Sequence, residues 1–426
     1  MALNRTRPSG RKWGPQAAGG PHERPPGAIE ERRPDRLIIF TVAALVFLGA
    51  LMIYSSTSVV THAMRERRVM SPYFYFERHL ITIAIGLAAG FIAYRMRPES
   101  LGKLSPVLVL GSLALLILVF TRLGVSAGGA RRWIRLWHGT FQPSETVKPA
   151  MVIFLAWYLS RDFFDPDNFW LFLPPVAVMG AFQGVLMKQP DFGGTLTLGF
   201  ITVAMLFLGG ARLKHLGGLA LLLLPAAYYL AHKPYRWRRI TSFLNPWAHA
   251  RTDGFQLVQS LIAFGRGGWA GVGLGKSMQK LSFLPEMHTD FIFSIIGEEL
   301  GFIAAAGVVA AFLVLFLRSV GIANRMGERY RYLLAQGIAL MIALPALVNF
   351  CVVTGLLPTK GLPLPFISYG GSAFIANFAA VGILLRLSKS EPIPAEDRWS
   401  GVIEKKKARL SVYGMRSIDG TGSVEE

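Results

Sequence analysis

From Leu37 onward the chain alternates between long apolar runs and short polar breaks. The period-two alternation that half-buried strands require is missing. Ten runs are candidates for filling a bilayer: Leu37–Ser55, His79–Ala93, Leu104–Phe120, Val147–Leu159, Phe169–Met187, Thr195–Gly210, Leu216–Ala231, Phe291–Leu317, Leu333–Thr354 and Phe366–Leu385. A crossing helix needs about 20 mostly apolar residues, and the fourth run falls short of that. A transmembrane barrel would need alternating segments of about ten residues. The pattern therefore predicts an all-α polytopic membrane protein of ten transmembrane helices.

An even number of crossings leaves both termini on one side. Arg32, Arg33 and Arg36 ahead of the first run predict that this side is the cytoplasm, with the first run an uncleaved anchor. Three regions follow: a disordered tail over 1–36, rich in Arg, Pro and Gly; a membrane domain over 37–387; and a polar cytoplasmic tail over 388–426 carrying Lys405-Lys406-Lys407. The longest outer loop, 232–290, joins the seventh and eighth predicted helices.

Composition agrees with a membrane bundle. Of 426 residues, 52% are hydrophobic and 16% charged, with mean hydropathy +0.41, which excludes a soluble enzyme and a disordered chain. One cysteine, Cys351, leaves no disulfide framework and no cysteine-rich metal site. Walker, Rossmann and zinc motifs are absent. Charge changes the picture more: 45 Lys and Arg against 25 Asp and Glu give +20. Much of the excess falls in two outer loops, 122–145 and 232–290. A cationic surface beside a bilayer selects an anionic headgroup, through arginine forks and lysine point charges on phosphate; generic attraction to phospholipid is the plainer alternative.

Five stretches could carry chemistry. Gly128-Gly129-Ala130-Arg131-Arg132-Trp133-Ile134-Arg135 leads to Phe141-Gln142-Pro143-Ser144-Glu145 and Lys148. The arginines are phosphate candidates or interface anchors; Glu145 and Lys148 are spaced for an ion pair, and Ser144 for a cap. In Lys188-Gln189-Pro190-Asp191-Phe192-Gly193-Gly194, Asp191 could cap the sixth helix, pair with Lys188 or line a cavity. In the long loop, Tyr235-Arg236-Trp237-Arg238-Arg239-Ile240 is a cationic-aromatic knot. Asp253 to Phe264 then reads as a short amphipathic helix with Phe255, Val258, Leu261 and Ile262 on one side. The glycine-rich stretch from Gly265 to Gly275, ending at Lys276 and Lys280, could offer N–H groups to phosphate or be a plain connector.

The fourth stretch is Leu284-Pro285-Glu286-Met287-His288-Thr289-Asp290-Phe291, followed by Ser294 and Gly297-Glu298-Glu299. Asp290, Ser294, Gly297 and Gly301 share one helical face, which would turn into the bundle and put the aspartate at the head of a groove; a helix cap is the other reading. Glu298 and Glu299 lie within a predicted span, where an unpaired charge costs several kcal/mol. The fifth, Leu357-Pro358-Thr359-Lys360-Gly361-Leu362-Pro363-Leu364-Pro365-Phe366-Ile367-Ser368-Tyr369-Gly370-Gly371-Ser372, sets prolines and glycines around one lysine.

These stretches, in this order and membrane context, resemble the SEDS (shape, elongation, division and sporulation) family of bacterial peptidoglycan polymerases. The likeness covers residues 37–390, and Pro358-Thr359-Lys360-Gly361 resembles the division branch more than the elongation branch. The resemblance implies ten helices in the bacterial cytoplasmic membrane, at the division septum. It implies a processive glycosyltransferase on the outer leaflet, using lipid II, a disaccharide-peptide on undecaprenyl diphosphate. It makes Asp290 the catalytic residue, with Glu145, Asp191, Glu286, His288, Thr289, Glu298 and Ser368 in support. Ser282 stands where related sequences can carry an acid, so no role for an acid transfers there. Implied partners are a class B penicillin-binding protein transpeptidase and divisome activators, with no nucleic acid.

The chemistry expected is attack of an N-acetylglucosamine 4-hydroxyl on the muramoyl anomeric carbon, with inversion and release of undecaprenyl diphosphate. Asp290 would take the proton. Arg131, Arg132, Lys148, Arg236, Arg238, Arg239 and Lys360 are the candidates for steadying the diphosphate, with Arg132 and Lys360 foremost. A divalent cation, Mg2+ or Mn2+, could share that work, although the sequence offers no all-protein cage. Competing readings are a lipid II flippase, for which Glu298 is the main argument, and a non-catalytic divisome scaffold.

Overall fold

The computed structural model describes residues 33–65, 74–127, 130–136, 139–280 and 289–390. Among them are α1 (Arg36–Arg65), α2 (Phe74–Arg95), α3 (Pro98–Leu118), α4 (Ser144–Leu159), α5 (Phe169–Lys188), α6 (Phe192–Leu208), α7 (Leu213–Ala231), α8 (Pro234–Leu244), α9 (Phe255–Gly267), α10 (Ile292–Ala323), α11 (Arg329–Val353) and α12 (Gly371–Ser388). Each of the ten predicted runs overlaps a helix, although the last begins five residues ahead of α12. Seven helices, α1, α2, α3, α5, α10, α11 and α12, are long and apolar enough to cross a membrane. The apolar stretches Phe192–Leu208 of α6 and Leu213–Pro225 of α7 are shorter.

Polar side chains mark several helix starts. Asp35 Oδ1 accepts from the amides of Leu37 and Ile38, at 3.0 and 3.2 Å, at the head of α1. Asn168 caps α5 through the Trp170 amide, and Asp191 caps α6 through Gly194 at 3.0 Å. Both satisfy amides that the first turn leaves without helical partners.

The short fourth run is the axis of the bundle. It lies within α4, whose 16 residues make about 24 Å of helix, and Val147, Met151, Val152, Leu155, Ala156 and Leu159 are all almost fully buried. It packs against α3, α6 and α11. Elsewhere glycine decides how close helices come: a Cβ on Gly382 of α12 would stand 2.1 Å from the Gly90 carbonyl of α2. Small residues let membrane helices approach in this way.

Two expectations need correcting. The protein is not wholly α: β1 (Gly124–Ala127), β2 (Ala130–Leu136) and β3 (Gly139–Phe141) form an antiparallel meander between α3 and α4. Val125 faces Trp133 and Arg135 faces Thr140. The Gly128-Gly129 dipeptide between β1 and β2 is a hairpin signal; the loop was too short and too charged for its strands to show as apolar runs. The connection after α7 also holds more than the one short helix expected over Asp253 to Phe264: α8 and a 3-10 turn at Trp247–His249 precede α9, which is that helix. The buried face of α9 is Leu257, Val258, Ser260, Ala263 and Gly267. Phe255, Leu261 and Ile262, expected on that face with Val258, are only half-buried.

Candidate active site at the Lys360 turn

Asp290 sits immediately before α10, whose N-cap position is Phe291 with no side-chain capping bond. Asp290 thus lies one residue ahead of the N-cap position. Its carboxylate lies against the Lys360 turn: a Cβ on Gly361 would come within 2.6 Å of Asp290 Oδ2. A side chain there would push the carboxylate aside. Two side chains stitch this approach together. Asn349 of α11, buried, donates from Nδ2 to the carbonyls of Asp290 and Leu362, both at 2.8 Å. Ser368 Oγ donates to the Thr289 carbonyl at 2.5 Å and accepts from the Leu364 amide at 2.7 Å.

The proline- and glycine-rich entry to α12 is thus a clamp. Within it Phe366 adopts φ 64°, a left-handed geometry that costs a side-chain-bearing residue about 1–2 kcal/mol. Complete burial of its ring, edge-on to Phe374 and Phe378, holds it there.

Cations gather on the other side of the same turn. The Phe192 ring at the head of α6 has Arg236 of α8 over it at 4.3 Å and Lys360 at 4.4 Å. Such cation–ring contacts are favourable in partly desolvated places. Arg239 donates to the Thr359 carbonyl at 3.0 Å, and Gly193 packs on Leu362 and the Gly361 carbonyl. Arg132 on β2 donates to the carbonyls of Gln189 at 3.1 Å and Pro190 at 2.5 Å, holding the turn that carries Asp191. Burial, then the neighbouring Arg236, lowers the Lys360 ammonium from 10.5 to about 8, with Asp191 pulling the other way. Burial likewise lowers Arg236.

The remaining predicted residues stand apart from this cluster. Arg131 donates to the Thr121 and Gly124 carbonyls and serves the meander. Arg238 lies 3.7 Å from Asp253 at the surface. Lys148 is buried and spends its charge on both Glu145 oxygens, at 2.8 Å, so it is tied up locally. Ser144 is the first residue of α4 and accepts from Gln142 Nε2 at 3.0 Å without capping. Glu286 and His288 lie outside the described residues, as does Ser282.

Glu298, the main argument for the flippase reading, and Glu299 are both engaged within the fold. The helix α10 breaks at Gly301, φ 77°, and residues 268–273 pair with the break. Val272 donates to the Glu298 carbonyl and Gly273 to that of Glu299, each at 3.0 Å, while Phe302 donates to Gly268 at 2.9 Å. The Glu298 side chain accepts from Ser277 Oγ and the Met278 amide and lies 3.5 Å from Arg266. Glu299 accepts from Lys280, from Ser55 Oγ at 2.9 Å and from the amides of Gly275 and Ser277. Of the glycine-rich stretch, the Val272 and Gly273 amides are thus engaged by main-chain carbonyls of α10 and the Gly275 amide by the Glu299 carboxylate, which suits the connector reading of that stretch. Lys280 is fully buried.

Sequence reasoning missed Asn349 and Ser55, and the partners of Phe192 and Lys280. For Asn349 a signal existed, since an amide inside an apolar span needs a partner. The described residues contain no group of three His, Cys, Asp or Glu that could hold a metal.

Residues 35–392 match the cell cycle protein family that groups FtsW, RodA and SpoVE. A probable peptidoglycan glycosyltransferase FtsW of Geobacter sulfurreducens is 41% identical over 363 residues, covering 84% of this chain and 96% of that one. One of the same name from Coxiella burnetii is 42% identical over 360 residues, covering 83% and 96%. Among solved structures, a chain from work on the coordination of polymerization and crosslinking by a peptidoglycan synthase complex superposes with TM-score 0.70 at 28% identity, covering 86% of this chain and 99% of that one. The rod shape determining protein RodA of Thermus thermophilus gives TM-score 0.62 at 28% identity, covering 83% and 96%.

Proposed function

This chain belongs to the FtsW/RodA/SpoVE family of cell cycle proteins, and from that premise we propose that it is a peptidoglycan glycosyltransferase that polymerises lipid II on the outer face of the bacterial cytoplasmic membrane during septal wall synthesis. In this reading α4, α6 and α7 are crossings along with the seven helices named above, which makes ten and leaves both termini in the cytoplasm. A class B penicillin-binding protein would cross-link the strands, with divisome activators controlling both.

One observation carries the mechanism: the Asp290 carboxylate lies against Gly361, next to Lys360, in a turn that Arg236 and Arg239 also reach. An acid and a cation cluster on two sides of one small turn suit a displacement at a glycosyl diphosphate. Asp290 accepts the proton of the acceptor 4-hydroxyl as its oxygen bonds to the muramoyl anomeric carbon. The bond from that carbon to the diphosphate breaks, and its electron pair leaves with undecaprenyl diphosphate. Lys360 and Arg236 face the charge that develops there, in a partly dry setting where fixed cations act strongly. Arg132 acts at one remove, by holding the Gln189-Pro190 turn. A bound Mg2+ or Mn2+ would have to draw oxygen ligands from the diphosphate and would supply further charge neutralisation.

Polymerisation of labelled lipid II by purified protein tests this, wild type beside Asp290→Asn, with the cognate transpeptidase present. The expected result is glycan ladders from wild type and a loss of at least about 10²-fold in the variant, which keeps its thermal stability and partner binding. Equal ladders from both would remove Asp290 from the chemistry. Lipid transport by a variant that makes no glycan would favour the flippase reading.

A further inference from the structure

At the end of the bundle opposite Asp290, separated from it by the 32 residues of α10, lies a cleft of about 310 Å³ between α1, α10 and the end of α12. Arg33, Arg36, Arg318 and Arg325 line it, with Asp35 as the one carboxylate in its wall. Asp35 is already committed twice. Oδ1 accepts from the first amides of α1, and Oδ2 lies 2.5 Å from Arg318 Nη2. The Arg318 Nε is buried with no hydrogen-bond partner. Four arginines therefore line a space whose one acid among the described residues is spent, and one of them has an unsatisfied donor.

Helix electrostatics explain only half of this. Arg318 and Arg325 near the end of α10 suit its negative pole, whereas Arg33 and Arg36 at the start of α1 oppose the positive pole there. Bringing the two pairs together is unfavourable unless an anion joins them. The cleft also continues into apolar surface. Leu37 lines it and is 45% exposed, and Phe40 on α1 with Leu313 and Leu317 on α10 are more exposed still. A free anion has no use for those side chains, but acyl chains do.

We propose that this cleft binds the phosphodiester headgroup of an anionic phospholipid, with its acyl chains along the exposed faces of α1 and α10. Arginine forks on phosphate oxygens supply the recognition. The site is separate from the polymerase site and does not depend on which reaction occurs there.

The test is native mass spectrometry of the full-length protein, released from detergent with phosphatidylglycerol or phosphatidylcholine of matched chains, and with inorganic phosphate alone. Arg36→Gln with Arg325→Gln is the main variant, because it spares the Asp35–Arg318 pair. Arg95→Gln with Arg97→Gln, two exposed arginines on the same side, is the charge-matched control. Retention of phosphatidylglycerol over phosphatidylcholine by wild type and the control, with a drop of about 10- to 30-fold in the main variant, is expected at unchanged thermal stability. An equal drop in the control would overturn the site in favour of diffuse attraction. Strong retention of phosphate alone would overturn the lipid assignment. Tighter lipid retention on Glu391→Gln, the acid following Ser390 in sequence, would mean that the chain's own carboxylate fills the cleft. If the main variant unfolds, Arg33→Gln alone reads the same comparison.

Discussion

The charge on Lys360 depends on its surroundings as much as on its side chain. With its ionisation lowered from 10.5 to about 8 by burial and by Arg236, the ammonium is nearly complete at neutral pH and is lost as pH rises through about 8. If that charge steadies the leaving diphosphate, polymerisation should fall on the alkaline side of about pH 8. A pH–rate profile of Lys360→Arg should lose that limb, because arginine stays charged throughout. The linkage runs the other way for stability. Between about pH 8 and 10.5 the unfolded chain binds the proton that the folded chain has released, so folding gains from Lys360 as pH rises through that window. A loss of activity there without a fall in melting temperature would separate the two effects. Asn349 makes a second case. Asn349→Leu keeps the volume but strips the donors from the Asp290 and Leu362 carbonyls, so turnover should fall while lipid II binding is retained.

At the scale of elements, the broken helix α10 and the loop that fills its break form one unit. Glu299→Gln would leave buried Lys280 without its counter-charge, at a cost of about 3–5 kcal/mol. The double change Glu299→Gln with Lys280→Met should recover most of it, and thermal melts of the three proteins measure the coupling. Gly301→Ala attacks the same unit through the backbone. At φ 77° its Cβ would stand 2.4 Å from the Gly271 amide, so it should destabilise the protein at least as much as Gly382→Ala, which forces α2 from α12. The break matters because the loop it receives runs on to Lys280, in the connection that ends at Asp290. One end of that connection is held by buried carboxylates and the other by Asn349 and Ser368.

For the whole molecule, charge is sorted between the two ends of an apolar body. Arg132, Arg236, Arg239 and Lys360 surround the candidate site, and Arg33, Arg36, Arg318 and Arg325 the opposite cleft. Exposed and half-exposed cations act over roughly a Debye length, about 10 Å at 0.1 M salt and 3 Å at 1 M. Capture of lipid II by wild type should therefore weaken as salt is raised. Arg236→Gln should show both weaker capture and a shallower salt slope, whereas Asp290→Asn should leave the slope unchanged. Binding titrations at several ionic strengths check this.

Sequence alone determined where the helices lie, because a run of apolar residues beside charged breaks has few other ways to satisfy its backbone in a bilayer. It also singled out the turns around Asp191, Asp290 and Lys360, since proline, glycine and an isolated charge in apolar surroundings need a reason. Pairing was beyond it. That Lys148 is consumed by Glu145 was legible from their spacing; that Arg132 holds a turn on another segment was not, nor that the glycine-rich amides belong to Glu298 and Glu299. Those partners are far apart in the chain, and only packing selects one among many cations for each acceptor. Tertiary structure decided which charges meet, because packing brings Asp290 to Gly361 and sets Lys360 and Arg236 on one ring.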